Sequence, residues 1–268
     1  MVIFNYKGSV NCMKTNIMGL QTDNITMAEA VKATESALLS DEKQLVVFTP
    51  NAEIAYACLN DEKLLETVNS ADLVLPDGVG VLRAAEILGT PLKEKVAGVE
   101  FGEELCRLCA KHDSGLYILG GKPGVAEAAA ENLCKKYAGL RVVGVHNGYF
   151  DKHGDENDEV ISEVTNSGAE AIMVCFGFPA QENWAAENKN RLPGVKVTAC
   201  LGGSIDVYSG KAKRAPKLFI KFKLEWLYRL IKEPSRLKRM SVIPKYLKIA
   251  KKYKKRGFDN EMDRQTIR

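Results

Sequence analysis

The residues best suited to chemistry fall at one kind of place in this chain, directly after short apolar runs. In LPDGVGVL, residues 75–82, an acid stands between a proline and a glycine where an apolar run gives way to a helical pattern. Asp77 has two readings there. It is a helix N-cap, accepting from the unpaired N–H groups of a first turn, or it is a carboxylate held at a strand edge to take a proton. The same placement recurs. Thr49 and Asn51 follow QLVVF, Gly120, Gly121 and Lys122 follow GLYIL, and Asn147 and Tyr149 close RVVGVHNGYF. Gln181 and Glu182 follow AIMVCFGFP, and Gly202 and Asp206 follow VKVTAC. So many polar or glycine run-ends move Asp77 toward a site without removing the cap reading.

LGGKPG, residues 119–124, is a glycine turn of the kind that offers backbone N–H groups to a phosphate. It lacks the GK[ST] ending of a Walker loop and the spacing of a dinucleotide fingerprint, so a plain tight turn serves as well. The chain has no DxD or HExxH, and its three histidines are unlinked, so no resident catalytic metal is expected. The acidic run DKHGDENDE, 151–159, reads as a solvated loop leading into the helix EVISEVT. Cys106 and Cys109 have CxxC spacing inside a helical pattern and read as core. The seven cysteines together read as reduced, buried thiols.

The elements that must position these residues alternate. NIMGL, QLVVFTP, ADLVLPDG, GLYILGG, RVVGVHNGYF, AIMVCFGFP and VKVTACLGG read as strands apolar on both faces. MAEAVKATESALL, NAEIAYACLN, VGVLRAAEIL, GVAEAAAENLCKKY and AQENWAAENKN read as helices between them. This predicts a layered, Rossmann-like α/β core with mainly parallel sheets over residues 1–209, with residues 1–15 set apart because the first dozen fit no element. In such folds ligands bind beyond the carboxyl ends of the strands.

Residues 210–268 differ in character. Between Lys211 and Arg256 stand 18 Lys or Arg against Glu225 and Glu233 alone, in a chain with 38 basic and 34 acidic residues overall, so the rest is net acidic. Leu218, Phe222, Trp226, Leu227, Leu230 and Ile231 form an apolar stripe at helical spacing, and SVIPKYLKIAKKYKKR repeats the mixture. A basic amphipathic appendage suits an anionic membrane surface. Packing against the protein's own core is a second reading, and nucleic acid a third that the aromatic placement disfavours. A chain ending near Gly210 is expected to stay folded. With no signal peptide and no apolar window long enough to span a bilayer, the expected location is the cytoplasm.

Taken in order, TPNAE (49–53), LPDGVGVLRAAEILG (75–89), VAGVEF (96–101), LGGKPGVAE (119–127), NGYF (147–150), FGFPAQENW (176–184), GGSIDVYSG (202–210) and KRAPKLF…LEWLYRLIKEPSRLKR (213–239) resemble the WecG/TagA/CpsF glycosyltransferase family. The resemblance implies an inverting, metal-independent enzyme with no cofactor, moving an N-acetylmannosamine-type sugar from UDP to a polyprenyl-diphosphate-linked N-acetylglucosamine. It implies work at the inner face of the plasma membrane, in wall teichoic acid or related polysaccharide synthesis. It places the base on Asp77 and acceptor-side contacts on Thr49 and Asn51. The donor nucleotide falls to Gly120, Gly121, Lys122, Tyr149, Gln181, Gly202 and Asp206, and the leaving diphosphate to Arg214 and Arg229. Two positions depart from the family pattern: Glu100 where Asp is frequent, and Ala180 where Lys is common, which removes one cation near the donor. A homo-oligomer is left open. The competing readings are a nucleotide-sugar enzyme acting on soluble substrates, and a non-catalytic membrane- or nucleic-acid-binding module.

Overall fold

The computed structural model describes residues 13–213 and 241–256, together with strand residues 3–4 and 10–11 and the single positions 216, 219 and 228. Its centre is a six-stranded parallel sheet. In chain order its strands are β5 (Leu45–Phe48), β6 (Leu73–Val74), β7 (Gly115–Gly120), β8 (Arg141–His146), β9 (Ala171–Cys175) and β10 (Val197–Cys200). In space they run β6-β5-β10-β9-β7-β8. Side chains alternate between faces as strand geometry requires. Val46 and Phe48 enter one apolar cluster and Val47 the other, and Ile172 and Val174 oppose Met173 and Cys175 in the same way.

Helices cover both faces, which is why β5, β7, β9 and β10 are buried along their whole length. On one face lie α1 (Met27–Leu38), α5 (Gly98–Lys111), α6 (Val125–Lys136) and α9 (Ser204–Tyr208). On the other lie α2 (Ala52–Cys58), α3 (Glu62–Asn69), α4 (Val79–Leu88), α7 (Asp155–Asn166), α8 (Ala180–Asn188) and α10 (Val242–Arg256).

Four details differ from the sequence reading. NIMGL is not a sheet strand: β3 (Lys14–Ile17) and β4 (Leu20–Asp23) form an antiparallel hairpin that turns at Met18 and Gly19, both at positive φ. The first dozen residues do contain structure, since β1 (Ile3–Phe4) pairs antiparallel with β2 (Val10–Asn11). β8 is only half-buried, because it is a sheet edge. The acids of DENDE are not a loop but the first turns of α7, where Asp155, Glu156 and Asp158 complement the positive end of the helix.

The end of the basic block belongs to the core. Tyr246 and Ala250 of α10 are fully buried, with Ile243, Leu247, Ile249 and Tyr253 packed beside them against α2 and α4. The outward face carries Lys245, Lys248, Lys251, Lys252, Lys254 and Lys255. A chain ending near Gly210 would therefore leave the apolar faces of α2 and α4 uncovered, contrary to expectation. Burying a large apolar side chain stabilises by about 1.5–3 kcal/mol, so this loss is substantial.

Candidate active site

The strand order sets the expected residues in a row along the carboxyl edge of the sheet. Asp77 follows β6, Thr49 and Asn51 follow β5, Gly202 and Asp206 follow β10, Gln181 follows β9, Gly120 to Lys122 follow β7, and Tyr149 follows β8. They form two halves.

In the first half, three segments touch. Asn51 caps α2, its Oδ1 accepting from the Glu53 N–H at 2.8 Å and the Ile54 N–H at 3.1 Å. Thr49 is buried and donates its hydroxyl to the Cys200 carbonyl at 3.0 Å. The Asp77 N–H donates to the Pro50 carbonyl at 3.2 Å, which joins the two loops. The question of the Asp77 side chain has an unexpected answer. The N-cap of α4 is Gly78, and no side chain caps that helix. Instead Asp77 Oδ2 accepts from the N–H of Gly98, the first residue of α5, at 3.2 Å. The half-buried carboxylate thus stands at the positive end of a helix remote in sequence, where a negative charge is favoured. Gly98 also lets Thr49 pack closely against the start of α5, since a Cβ there would lie 3.0 Å from Thr49 Oγ1. Glu100 lies in the same first turn of α5.

The second half is built from backbone. Gly120 adopts φ 143°, and a Cβ there would lie 2.4 Å from the Cys175 carbonyl oxygen, so only glycine fits. The Gly121 N–H donates to Cys175 O at 3.1 Å and the Gly148 N–H to Gly121 O at 2.8 Å, tying the ends of β7, β8 and β9 together. The turn closes on itself at its end, where the Val125 N–H that opens α6 bonds Lys122 O. Lys122 itself is exposed. Tyr149 is 68% exposed, and the Asn147 side chain accepts its N–H at 2.8 Å. Beside it runs a groove lined by His146, Phe150 and three α7 acids, Glu156, Glu159 and Glu163. Asp206 sits in the first turn of α9, which leans on Gly121 through Ile205.

Two residues here have surroundings that the sequence reading did not foresee, although Glu182 was among the polar run-ends. Lys152, placed in a solvated loop, is half-buried: its ammonium donates to the Gly148 and Phe150 carbonyls at 2.6 Å each and lies 3.8 Å from the Phe150 ring centre. Burial holds its pKa below the usual lysine range. Glu182 is 1% exposed, accepts from Gln181 Nε2 at 2.8 Å, and burial pushes its pKa up to about 7. No polarity pattern marks such a residue, because a Glu in a first helical turn is normally solvated.

α10 reaches the first half from behind. A Cβ on Gly80 of α4 would lie 2.6 Å from Ala52 of α2 and 3.5 Å from Ile243 of α10, so all three helices begin together. Arg214, Arg229 and the stripe from Leu218 to Ile231 lie outside the described residues. Among the described residues no group of three His, Cys, Asp or Glu side chains could hold a metal ion. Cys106 and Cys109 are free, buried thiols, and burial pushes Cys109 up to about 12, which suits a core role. Cys134 is an exposed exception.

Comparison with known proteins adds an independent finding. Residues 15–259 match the model of the glycosyl transferase WecG/TagA/CpsF family. Three similar proteins share the name N-acetylglucosaminyldiphosphoundecaprenol N-acetyl-beta-D-mannosaminyltransferase. That of Staphylococcus aureus (strain MRSA252) is 32% identical over 91% of this chain and 95% of its own length. That of Bacillus spizizenii (strain W23) is 31% identical, covering 82% and 84%. That of Bacillus subtilis (strain 168) is 30% identical, covering 83% and 85%.

Proposed function

Because the chain belongs to the glycosyl transferase WecG/TagA/CpsF family, we propose that it transfers N-acetylmannosamine from a UDP donor to N-acetylglucosaminyl-diphosphoundecaprenol, with inversion at the anomeric carbon. The observation that carries this reading is the placement of Asp77, half-buried at the start of α5 and in contact with the Thr49 to Asn51 loop. The acceptor hydroxyl oxygen attacks the anomeric carbon from the face opposite UDP, its proton passes to Asp77, and the bond to the UDP oxygen breaks. Thr49 and Asn51 border the acceptor. The nucleotide lies along the turns at Gly120, Gly121, Gln181 and Gly202, with Tyr149 as an exposed ring and Asp206 as acceptor for the base. The acids beside Tyr149 repel a diphosphate, which puts the phosphates on the Gly120 and Lys122 side.

The leaving diphosphate needs cations, which Arg214 and Arg229 supply without a metal. The lysine face of α10 rests on the anionic inner surface of the membrane, at about 1 kcal/mol per lysine. No helix among the described residues is long and apolar enough to cross a bilayer. The test offers UDP-N-acetylmannosamine, UDP-N-acetylglucosamine and UDP-glucose separately, with a short-chain lipid acceptor and EDTA present. Mass spectrometry should find an added N-acetylhexosamine from the first donor alone. Transfer only from glucose, or only after Mg²⁺ is restored, would overturn the sugar or the metal-free chemistry respectively.

A further inference from the structure

Gln181 occupies an unusual position between two turns. Its Oε1 accepts from the Gly177 N–H at 3.3 Å, in the turn after β9, and from the Gly202 N–H at 2.9 Å, in the turn after β10. Two backbone donors on one side leave the amide a single orientation, with Nε2 pointing away from both. There it meets Glu182 Oε1 at 2.8 Å. Gln181 is 3% exposed and Glu182 1%, so water does not take over either role. The lateral chain extends further. Cys200 Sγ donates to the Gln181 carbonyl at 3.4 Å, and the Cys200 carbonyl accepts from Thr49 in the acceptor half.

We propose that Glu182 is a positioning residue, which holds the Gln181 amide in the orientation that staples the turn after β9 to the turn after β10 and so shapes the donor side of the site. The inference rests on the reading that the UDP-sugar lies along those turns. Its second support is Glu182 Oε2, a buried oxygen with no hydrogen-bond partner among the described residues. An ionised carboxylate with one oxygen left unpaired in an apolar site costs far more than the neutral acid does. Among the described residues no Lys, Arg or His offsets the burial. Among the described residues the titratable groups facing it are the thiols of Cys58 on α2 and Cys200 on β10, both pushed up by burial and therefore uncharged. Below about pH 7 Glu182 is thus a neutral acid whose Oε1 accepts from Gln181. Raising the pH through about 7 puts a charge where no described cation balances it.

The working form predicts its own mimic. A glutamine at position 182 keeps the accepting oxygen and carries no charge, while an alanine leaves Nε2 of Gln181 unpaired. The experiment uses the full chain as wild type, Glu182→Gln and Glu182→Ala. It follows amide exchange at Gly177 and Gly202 and UDP affinity by calorimetry from pH 5.5 to 8.5. In Glu182→Ala both amides should exchange about tenfold faster and UDP should bind about tenfold more weakly, the scale of one lost hydrogen bond. In Glu182→Gln both amides should stay protected, and affinity should stay level through the pH range in which the wild type weakens. Wild-type protection of both amides in Glu182→Ala would overturn the staple. If alanine prevents folding, Glu182→Gln decides alone: exposed amides, or the wild-type pH slope, would sink the inference. Failure of UDP to bind the wild type would instead count against the donor reading, and the exchange measurement would still test the staple.

Discussion

Around Asp77 the polar side chains are themselves the fastenings: Asn51 caps α2, Thr49 reaches the Cys200 carbonyl, and Asp77 takes the first amide of α5. Around Gly120 the main fastenings are backbone, with Gly121 and Gly148 amides bonded to neighbouring strand ends, and the side chains of Asn147, Lys152 and the buried Gln181 and Glu182 pair add to them. The two halves should therefore respond differently to substitution. Where a side chain does the holding, an isosteric exchange can keep the bond and change the chemistry. Where backbone does it, any added atom disturbs the fold first.

The largest expected effect breaks the second half. Gly120→Ala must place a Cβ 2.4 Å from a backbone oxygen at a φ of 143°. The variant should lose more than about 3 kcal/mol or fail to fold, read by denaturant unfolding. A near-normal midpoint would show that the half is more pliable than its geometry. Next comes Asp77→Asn, which keeps an oxygen for the Gly98 N–H but cannot take a proton. Turnover should fall about 10²–10⁴-fold, with UDP affinity retained and stability changed by less than about 1 kcal/mol. Retention of a tenth of the activity would leave Asp77 as the cap of α5 and nothing more.

Tyr246→Ala probes whether α10 supports the first half alone. Emptying this fully buried position should cost about 3 kcal/mol. It should disturb acceptor kinetics through α2 and α4 while UDP binding persists at temperatures below the melt. A smaller effect concerns pH. The Glu182 pKa rises from its ordinary 4.5 to about 7 on folding. The folded state therefore holds a proton that the unfolded chain releases. That contribution is fully present below about 4.5 and is lost as pH rises through about 7. Glu182→Gln should flatten this part of the stability profile, measured by urea unfolding from pH 4.5 to 8. The smallest is Tyr246→Phe, which removes a buried hydroxyl that has no partner among the described residues. It should be neutral or stabilise by up to about 1 kcal/mol. A clear loss would mean that the hydroxyl is hydrogen-bonded in solution.

Much of this architecture could be read from residue order because its signals are local. Alternating apolar runs marked β5, β7, β9 and β10, and the turn residues behind them marked the edge where the site lies. What could not be read depends on partners far along the chain. Asp77 resembles a cap for the helix beside it, yet its partner is Gly98, 21 residues on, and Thr49 bonds Cys200, 151 residues away. Glu182 gives no warning of burial, since its environment is made by α2 and β10. The hairpin at Met18 and Gly19 was hidden because methionine is rare at φ 54°. The core role of α10 stood only as the second reading because six exposed lysines mask Tyr246 and Ala250.

The sheet order carries a consequence for synthesis. β10, the last strand among the described residues, lies between β5 and β9 and pairs Val197 with Leu45 on one side and Ala171 on the other. Until residue 200 leaves the ribosome, the nascent chain holds two half-sheets, each with an open apolar edge at the place where the other should join. Such edges recruit strands from other molecules, and pairings this distant in sequence form slowly. The chain is therefore most exposed to misassembly before β10 emerges, and a chaperone that acts during translation should matter more for it than one that acts afterwards.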